Sequence, residues 1–413
     1  MDVIVKVRDP EENLEEKIKA YKVKKRIKTA VTILAFVFAL ISSYLLVKLQ
    51  TYTSLRTLQS YKNKETESSD LKYLQYADGM LKYGRDGIAY INKKGVEQWN
   101  QSYQIKDPVI NVSGKAMAVA ERGGNDIYVM DEKGAKGEIH TNYPIEKIAV
   151  AENGIVSTIL NNENSPMVVC YDATGNVLVE HRASLTGTGY PIGIALSPNG
   201  TRLQISYLCV ADGVEATRVG YLNFDNTEEV NKEYQVADDV YKNTIVPTSF
   251  FIDEKKSVLV GDQSFMIYKE TDKPKLSKTV KLDKQIKSFF HDDKYLGFIL
   301  KEESGEYELR LYDMEGNQKL SKTFTGEYGN VKIADGKVIM YDGTSCLIYS
   351  KLGVKQFEGT TEYEIKEVIP VFGDECRRTC RGTACKIGVE YGSKYFIGNC
   401  RGYYSDRSHG RIC

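Results

Sequence analysis

The amino-acid sequence predicts an all-β protein, a β-propeller of seven to eight four-stranded blades, preceded by a single N-terminal transmembrane helix. The first observation behind this is an uncharged apolar run of 19 residues near the N-terminus. The second is a succession of short apolar runs separated by turn dipeptides, which begins at Leu71. The third is a pair of sequence elements that alternate along this stretch with a period of about 43 residues, close to the length of one propeller blade.

The apolar run comprises residues 29–47 (TAVTILAFVFALISSYLLV) and is bounded by Lys28 and Lys48. As a helix it would be about 28 Å long at roughly 1.5 Å per residue, close to the roughly 30 Å of a bilayer core. A buried core helix and a cleaved signal peptide are the alternatives. No small-x-small cleavage site follows the run, which disfavours the signal peptide. We therefore expect a single-pass anchor whose partner is membrane lipid.

Basic residues predict the orientation of this anchor. Seven lie between positions 17 and 28, whereas four lie between 48 and 64. This imbalance favours a cytoplasmic leader, residues 1–28, and an extracytoplasmic remainder. Leu14, Ile18 and Tyr21 have helical spacing within the leader, which is typical of a membrane-skimming helix or of a small partner-binding face.

Residues 48–70 are rich in Thr, Ser, Lys and Glu and contain few apolar side chains. This composition predicts a polar stalk between the anchor and the β domain. The predicted propeller then begins at Leu71.

Two alternating elements define the predicted blades. The first is a strand that carries a tyrosine near its end and is followed by a polar turn; these tyrosines are Tyr90, Tyr128, Tyr171, Tyr221, Tyr268, Tyr312 and Tyr349. The second is a hairpin, whose expected turn residues are Gly79, Gly114, Gly154, Gly200, Lys255, Asp293 and Gly336. One hairpin, one tyrosine strand and one more polar strand make a four-stranded blade. A single such sheet cannot bury both faces, so we expect residues 71–375 to form one closed ring. Two stacked β-sandwiches, the alternative, would not require the regular alternation.

The last 38 residues, 376–413, depart from this pattern. They contain five of the eight cysteines, together with 6 Arg and 2 Lys, whereas the first 375 residues contain 9 Arg and 39 Lys. An eighth hairpin turn is expected near Gly373, but the following CRRTCRGTAC lacks the alternation of a half-buried strand. We interpret the tail as frameshifted or disordered, and outside the propeller.

Two other interpretations of the tail remain open. One is a basic, disulfide-linked appendage, and the other is a zinc site. The tail cysteines are Cys376, Cys380, Cys385, Cys400 and Cys413. Their odd number leaves one thiol over, and their spacing is unlike the paired short knuckles of tetrahedral zinc sites; His409 adds little to the case for zinc.

The sequence predicts no catalytic, cofactor-binding or metal-ligating residue. Cys170, Cys209 and Cys346 lie in apparent strands and are expected to be buried free thiols. The histidines at 140, 181 and 291 fall in different repeats and lack metal-ligand spacing. The loop LTGTGYP, residues 185–191, is rich in glycine but opens no helix, so we expect a connection between blades and not a phosphate loop.

The run IALSPNGTRL, residues 194–203, resembles the inner hairpin of WD40 and quinoprotein-like propellers, and YVMDEKG resembles their third strand. Together with the anchor and stalk, these motifs make the chain similar to an uncharacterised family of single-pass membrane-anchored propeller proteins of clostridia and related Gram-positive bacteria. The resemblance implies an architecture and a location. It implies no activity, because the family has none established.

Equal numbers of acidic and basic residues argue against a nucleic-acid partner. The leading hypothesis is a non-enzymatic binding or scaffolding module for a protein or cell-envelope partner outside the cytoplasm. A polysaccharide-active hydrolase or lyase would need carboxylates, histidines or tyrosines that converge on one face. A quinoprotein-like dehydrogenase is weakened by the presence of a single tryptophan, Trp99. The residues at the axial mouth of the ring should discriminate between these hypotheses.

Overall fold

A computed structural model describes residues 10–49, 51–52, 54–62, 71–162, 165–225, 234–269, 273–362, 364–372, 375–380 and 383–390. The chain divides into two compact units, residues 1–51 and 52–413. Each is described by itself below.

The first unit contains one long helix, α1 (Pro10–Lys48). It includes the whole predicted span and also residues 10–28 of the predicted leader. Its segment Lys17–Leu46 is long and apolar enough to cross a membrane, and none of it is buried within the protein. Length and composition fit an anchor and a signal sequence equally well. The predicted apolar helix is thus confirmed.

The second unit consists of four-stranded antiparallel sheets, and the strand order within them is that of propeller blades. Seven blades are each formed by four consecutive strands. The first blade contains β2 (Lys72–Tyr76), β3 (Gly79–Tyr83), β4 (Gly87–Ile91) and β5 (Glu97–Ser102). The second contains β6 (Pro108–Ser113), β7 (Ala116–Glu121), β8 (Asp126–Asp131) and β9 (Gly134–His140). The third contains β10 (Ile145–Val150), β11 (Val156–Leu160), β12 (Met167–Tyr171) and β13 (Val177–Arg182).

The remaining four blades repeat this pattern. The fourth contains β14 (Tyr190–Leu196), β15 (Arg202–Ala211), β16 (Val214–Asn223) and β17 (Gln235–Lys242). The fifth contains β18 (Thr248–Asp253), β19 (Lys256–Val260), β20 (Ser264–Lys269) and β21 (Lys275–Lys281). The sixth contains β22 (Gln285–His291), β23 (Tyr295–Lys301), β24 (Tyr307–Asp313) and β25 (Gln318–Phe324). The seventh contains β26 (Asn330–Ala334), β27 (Lys337–Asp342), β28 (Ser345–Ser350) and β29 (Lys355–Thr360).

An eighth sheet joins strands from distant parts of the sequence. It contains β30 (Ile365–Phe372), β31 (Glu375–Cys380), β32 (Thr383–Glu390) and, as its outermost strand, β1 (Ser54–Lys62). β1 pairs antiparallel with β32, and its register shifts between Thr57 and Gln59. The ring is therefore closed by a sheet to which both the beginning and the end of the domain contribute.

This sheet corrects two domain boundaries. The prediction that residues 48–70 form only a stalk is wrong for β1, which belongs to the propeller. The prediction that the tail from residue 376 lies outside the propeller is wrong for β31 and β32. Within these two strands, Cys376 is opposite Ile387, Cys380 is opposite Thr383 and Cys385 is opposite Arg378, so no two cysteines are register partners. Residues 391–413, with Cys400, His409 and Cys413, lie outside the described residues.

Apolar side chains fill the space between adjacent blades. Met117 and Val119 of β7 pack with Tyr76 and Leu81 of the first blade, for example. Equivalent clusters lie between each further pair of sheets, including one that contains Tyr73 of the first blade and Ile369 of the eighth sheet. Each sheet thus buries its two faces against its two neighbours, as expected for a closed ring.

Both predicted repeat elements are confirmed. The seven tyrosines lie in β4, β8, β12, β16, β20, β24 and β28, the third strand of each of the seven blades. Six of the seven expected turn residues lie between the first and second strands of their blades, and Gly79 is the first residue of β3. Gly373 itself is outside the described residues, but β30 and β31 form a hairpin on either side of it.

Candidate functional site at the axial mouth

The first strands of neighbouring blades contact each other and so surround the axis of the ring. Where four of these strands begin, they and the adjoining loops enclose a cavity of about 530 Å³. Its lining comes from Asn330 and Tyr341 of the seventh blade, Lys366 and Glu367 of the eighth sheet, residues 71–73 and 83–85 of the first blade, and residues 106–108 at the start of the second. We call this cavity the axial cavity.

Glu367 is the most buried carboxylate of the axial cavity, with 7% of its surface exposed. It forms an ion pair with Lys332 and accepts hydrogen bonds from the Tyr341 hydroxyl (3.1 Å) and the Val368 backbone N–H (3.1 Å). Burial, together with the negative charge of Glu367 and this hydrogen bond, raises the pKa of Tyr341. Lys332 thus balances the charge of Glu367, and the hydrogen bonds fix the position of its carboxylate.

Four cations line the same cavity: Lys72, Arg85, Lys106 and Lys366. Lys366 lies 2.9 Å from the exposed carboxylate of Glu364. Among the described residues, the side-chain amines of Lys72 and Lys106 have no ion-pair partner. The second carboxylate of the lining, Asp107, is exposed, as are Lys72 and Lys106. The described part of the lining therefore carries more positive than negative charge.

Backbone hydrogen bonds hold these cations in place. The N–H of Ile105 donates to the carbonyl oxygen of Arg85 (2.8 Å), which joins the loop between β5 and β6 to the turn between β3 and β4. The N–H of Lys106 donates to the carboxylate of Glu121 (3.1 Å). Lys106 and Arg85 are therefore positioned by two different blades that are tied to each other.

The third to fifth blades are connected by a lysine of β10. Lys147 donates hydrogen bonds from Nζ to the carbonyl oxygens of Ile192 in the fourth blade and of Pro247 just before the fifth (3.2 Å for Pro247). Burial and, secondarily, the charge of Arg122 lower the pKa of Lys147, partly offset by Glu146. Gly193 approaches the same place so closely that an added Cβ would lie 2.9 Å from the Pro247 carbonyl oxygen. These contacts hold the inner strands of the third and fourth blades against the start of the fifth.

Most of the cysteines and histidines singled out in the sequence lie away from the axial cavity. Cys170 and Cys346 are buried, whereas Cys209 is only half-buried, and Cys170 and Cys209 are free thiols. Burial raises the pKa of Cys170 to about 11, so this thiol is a poor nucleophile at neutral pH. His140, His181 and His291 lie in β9, β13 and β22 of three different blades. Within the described ranges, no group of three or more His, Cys, Asp or Glu side chains is arranged to hold a metal ion.

Trp99 lies in β5, the outermost strand of the first blade, and its indole N–H donates to the carbonyl oxygen of Glu132 (3.0 Å). It therefore joins the first blade to the second at the periphery of the ring, away from the axis. The loop at residues 185–189 connects β13 to β14, as predicted for a connection between blades.

The family model of DUF5711, a family of unknown function, matches residues 48–377. The chain belongs to DUF5711. Its match ends inside β31, so the last strand of the eighth sheet in this DUF5711 chain lies beyond the family model. A comparison with curated proteins finds no match.

Two solved structures show the fold of this DUF5711 chain in other proteins. Sqt1 from Saccharomyces cerevisiae has a TM-score of 0.53 at 9% sequence identity, over 81% of this chain and 99% of Sqt1. BamB from Moraxella catarrhalis has a TM-score of 0.50 at 13% identity, over 83% of this chain and 100% of BamB. At these identities the likeness concerns the propeller fold alone.

The axial cavity was not predicted from the sequence. Its lining residues are separated by almost 300 positions, from Leu71 to Glu367, and meet only because the ring closes. The repeat pattern nevertheless holds a signal that could have grouped some of them. Lys72, Pro108, Asn330 and Lys366 all lie at or near the start of the first strand of a sheet.

Proposed function

We propose that this DUF5711 chain is a membrane-anchored binding module whose propeller lies outside the cytoplasm and holds a protein or cell-envelope partner without chemical turnover. The observation that carries the proposal is the set of contacts made by the buried carboxylate of the axial cavity. Its buried carboxylate, Glu367, already has three hydrogen-bonding neighbours, including the cation Lys332. Such a group stabilises the wall of a binding site, because its carboxylate oxygens are already occupied by neighbours within the protein.

The lining composition supports the same conclusion. Among the residues that the structure describes, the lining of the axial cavity includes no serine, cysteine or histidine, the side chains that most often act as nucleophile or base. A polysaccharide hydrolase or lyase remains the alternative, because Asp107, Glu367 and three tyrosines share the cavity. A quinoprotein-like dehydrogenase is the less favoured alternative, since Trp99 lies at the outer edge of a blade.

The proposed location rests on the charge distribution around the span. Basic residues are concentrated before the apolar run of α1, which favours a cytoplasmic N-terminus. A reporter that is active only outside the cytoplasm, fused after Cys413, should be active, whereas the same reporter before Met1 should be silent. The opposite pattern would contradict this topology. Mass spectrometry of the purified chain distinguishes an intact anchor from a cleaved signal sequence by its N-terminal residue.

The binding function is tested with the full chain purified in a non-ionic detergent. The chain, immobilised through its N-terminus, should retain a discrete protein or envelope component from solubilised membranes. Turnover is assayed in parallel on cell-wall polysaccharides and with quinone-linked electron acceptors. Activity that is lost in Glu367→Gln, while the variant keeps its melting temperature, would overturn the non-catalytic proposal.

A further inference from the structure

We infer that the axial cavity is a receptor for an acidic peptide segment, recognised through its carboxylates. The inference rests on the proposed binding function and specifies the partner by its chemistry. It concerns residues contributed by the seventh blade, the eighth sheet and the first two blades.

The charge of the cavity is the first argument. Lys72, Arg85, Lys106 and Lys366 face two carboxylates, Asp107 and Glu367. Glu367 is compensated by Lys332, which lies just behind the lining. Lys366 is shared with Glu364, an exposed pair that a ligand can replace at little cost.

Asp107 is thus the one carboxylate of the lining without an ion-pair partner among the described residues. A concave site with an excess of cations concentrates anions. Their binding becomes stronger as the salt concentration is lowered, because salt screens the attraction.

The distribution of these cations is the second argument. Lys72 is on β2, Arg85 on the turn after β3, Lys106 on the loop before β6 and Lys366 on β30. They therefore stand on four separate elements around the cavity. Charges spread in this way match several carboxylates along a chain better than they match one compact phosphate.

The size and the apolar part of the lining are the third argument. A cavity of about 530 Å³ is within the range of about 300–1,000 Å³ found for small-ligand sites and accepts a few residues of chain. Tyr73, Tyr83 and Pro108 supply flat, half-apolar walls between the cations. Such walls suit the aliphatic stems of Glu and Asp side chains and the peptide backbone.

The test uses the full chain in a non-ionic detergent and fluorescence anisotropy of three labelled decapeptides. One is rich in Asp and Glu, one has the same sequence with Asn and Gln, and one is rich in Lys. Glutarate and inorganic phosphate are added as competitors. Their relative potency shows whether the cavity prefers carboxylates or phosphate. The cavity variant is Lys72→Gln/Lys106→Gln, which removes two exposed amines without a buried contact.

The matched control is Lys94→Gln/Lys133→Gln. These lysines are exposed, belong to the same two blades and lie in the turns between the third and fourth strands, at the opposite end of the ring. The acidic peptide should bind in preference to its amide counterpart. The cavity variant should raise its Kd about ten-fold, equivalent to about 1.4 kcal/mol. The control variant should leave it within about two-fold.

Glutarate should displace the peptide at lower concentration than phosphate. Equal binding of the acidic and amide peptides, equal losses in both variants, or stronger displacement by phosphate would each overturn the inference. If the envelope partner is still retained by Lys72→Gln/Lys106→Gln, the binding function stands and only this site is wrong. If turnover of a substrate is found, the proposed function fails whatever the peptide results.

Discussion

The backbone N–H of Tyr52 donates a hydrogen bond to the carbonyl oxygen of Gln356, at 2.7 Å. Only 7% of the Tyr52 surface is exposed, and its ring packs with Ile339, Phe357 and Ile365. The segment just before β1 is therefore attached to the seventh blade, next to the eighth sheet that β1 completes. The folded domain begins at this contact and not at Leu71.

A chain that begins at residue 71 should fold poorly, whereas one that begins at residue 50 should fold normally. The shorter chain lacks β1 and leaves unpaired those backbone donors and acceptors of β32 that otherwise bond to β1, which favours association between molecules. Size-exclusion chromatography should show aggregates for the shorter chain and a monodisperse species for the longer one. Identical elution and identical melting temperatures would show that β1 is dispensable for ring closure.

Gly193→Ala should lower the stability of the ring, because the new Cβ would lie 2.9 Å from the Pro247 carbonyl oxygen. Forcing such a contact in a packed region costs about 1–3 kcal/mol. Gly220→Ala is the matched control, since the nearest atom to its added Cβ is 3.8 Å away. Chemical denaturation followed by circular dichroism should separate the two variants. Equal midpoints would mean that the third to fifth blades can shift apart freely.

Glu308→Gln should destabilise the sixth blade. Glu308 is 4% exposed and accepts hydrogen bonds from Lys284 (2.6 Å), Arg310 (2.7 and 2.8 Å) and Ser321 (2.6 Å). Loss of the charge leaves two cations with a weaker partner, at a cost of about 3 kcal/mol. Glu180→Gln, at an exposed pair with Arg182, should cost less than about 1 kcal/mol. Thermal denaturation of the two variants at neutral pH measures the difference.

The stability that Glu308 contributes should depend on pH. Burial alone would raise the pKa of Glu308, but the hydrogen bonds from Arg310, Lys284 and Ser321 outweigh it and hold the pKa at about 2. A depressed folded-state pKa stabilises the fold above the unfolded value of about 4.3, and this stabilisation disappears as the pH falls toward 2. The difference in stability between the wild-type chain and Glu308→Gln should therefore shrink between about pH 4 and pH 2. A constant difference over this range would contradict the depressed pKa.

Trp99→Phe should lower the free energy of unfolding by about 1 kcal/mol, because it removes the hydrogen bond from the indole N–H to Glu132. Tyr143→Phe, which removes an exposed hydroxyl, is the control. Urea denaturation followed by circular dichroism gives both values. Since Trp99 is the single tryptophan, its fluorescence reports the contact between the first two blades in the wild-type chain. A fluorescence transition that precedes the circular-dichroism transition would show that this contact opens before the ring unfolds.

The reading frame near codon 375 should contain a one-base error or a recent frameshift. The family match ends at residue 377, and the change from Lys to Arg and Cys begins at residue 376. Resequencing should therefore find a corrected frame that encodes an apolar strand and a Lys-rich, Cys-poor end. An intact frame, with two defined disulfides found in the tail by mass spectrometry, would support the basic, cross-linked appendage instead.

The blades could be predicted because each repeats its own local pattern. The third-strand tyrosines and the hairpin turns recur within every blade, so Tyr90 and Tyr349 follow the same rule although they are far apart. β1 lacks such a pattern. Its apolar residues Leu55, Leu58 and Tyr61 are spaced by three, and the register shift between Thr57 and Gln59 interrupts the alternation of a regular strand.

The eighth sheet could be predicted only in part for a related reason. The hairpin turn expected near Gly373 implies a strand before it, and β30 (Ile365–Phe372) is that strand. β31 contains Arg377 and Arg378 and lacks the alternation of a half-buried strand. β31 and β32 are held in the sheet by backbone pairing with their neighbours, which composition does not reveal. The axial cavity depends on this closure, so it could not be predicted before the eighth sheet was known.

The antiparallel pairing of β1 with β32 also determines how the ring would respond to mechanical load. Ser54 is opposite Glu390, at the end of the sheet where the chain enters β1. If a force pulled the chain before Tyr52 away from Glu390, the hydrogen bonds between β1 and β32 would break one after another, because they would be loaded in sequence and not together. The Tyr52–Gln356 contact has to yield before this peeling begins. The pairing between β1 and β32 would therefore open at low force while the seven blades remain folded.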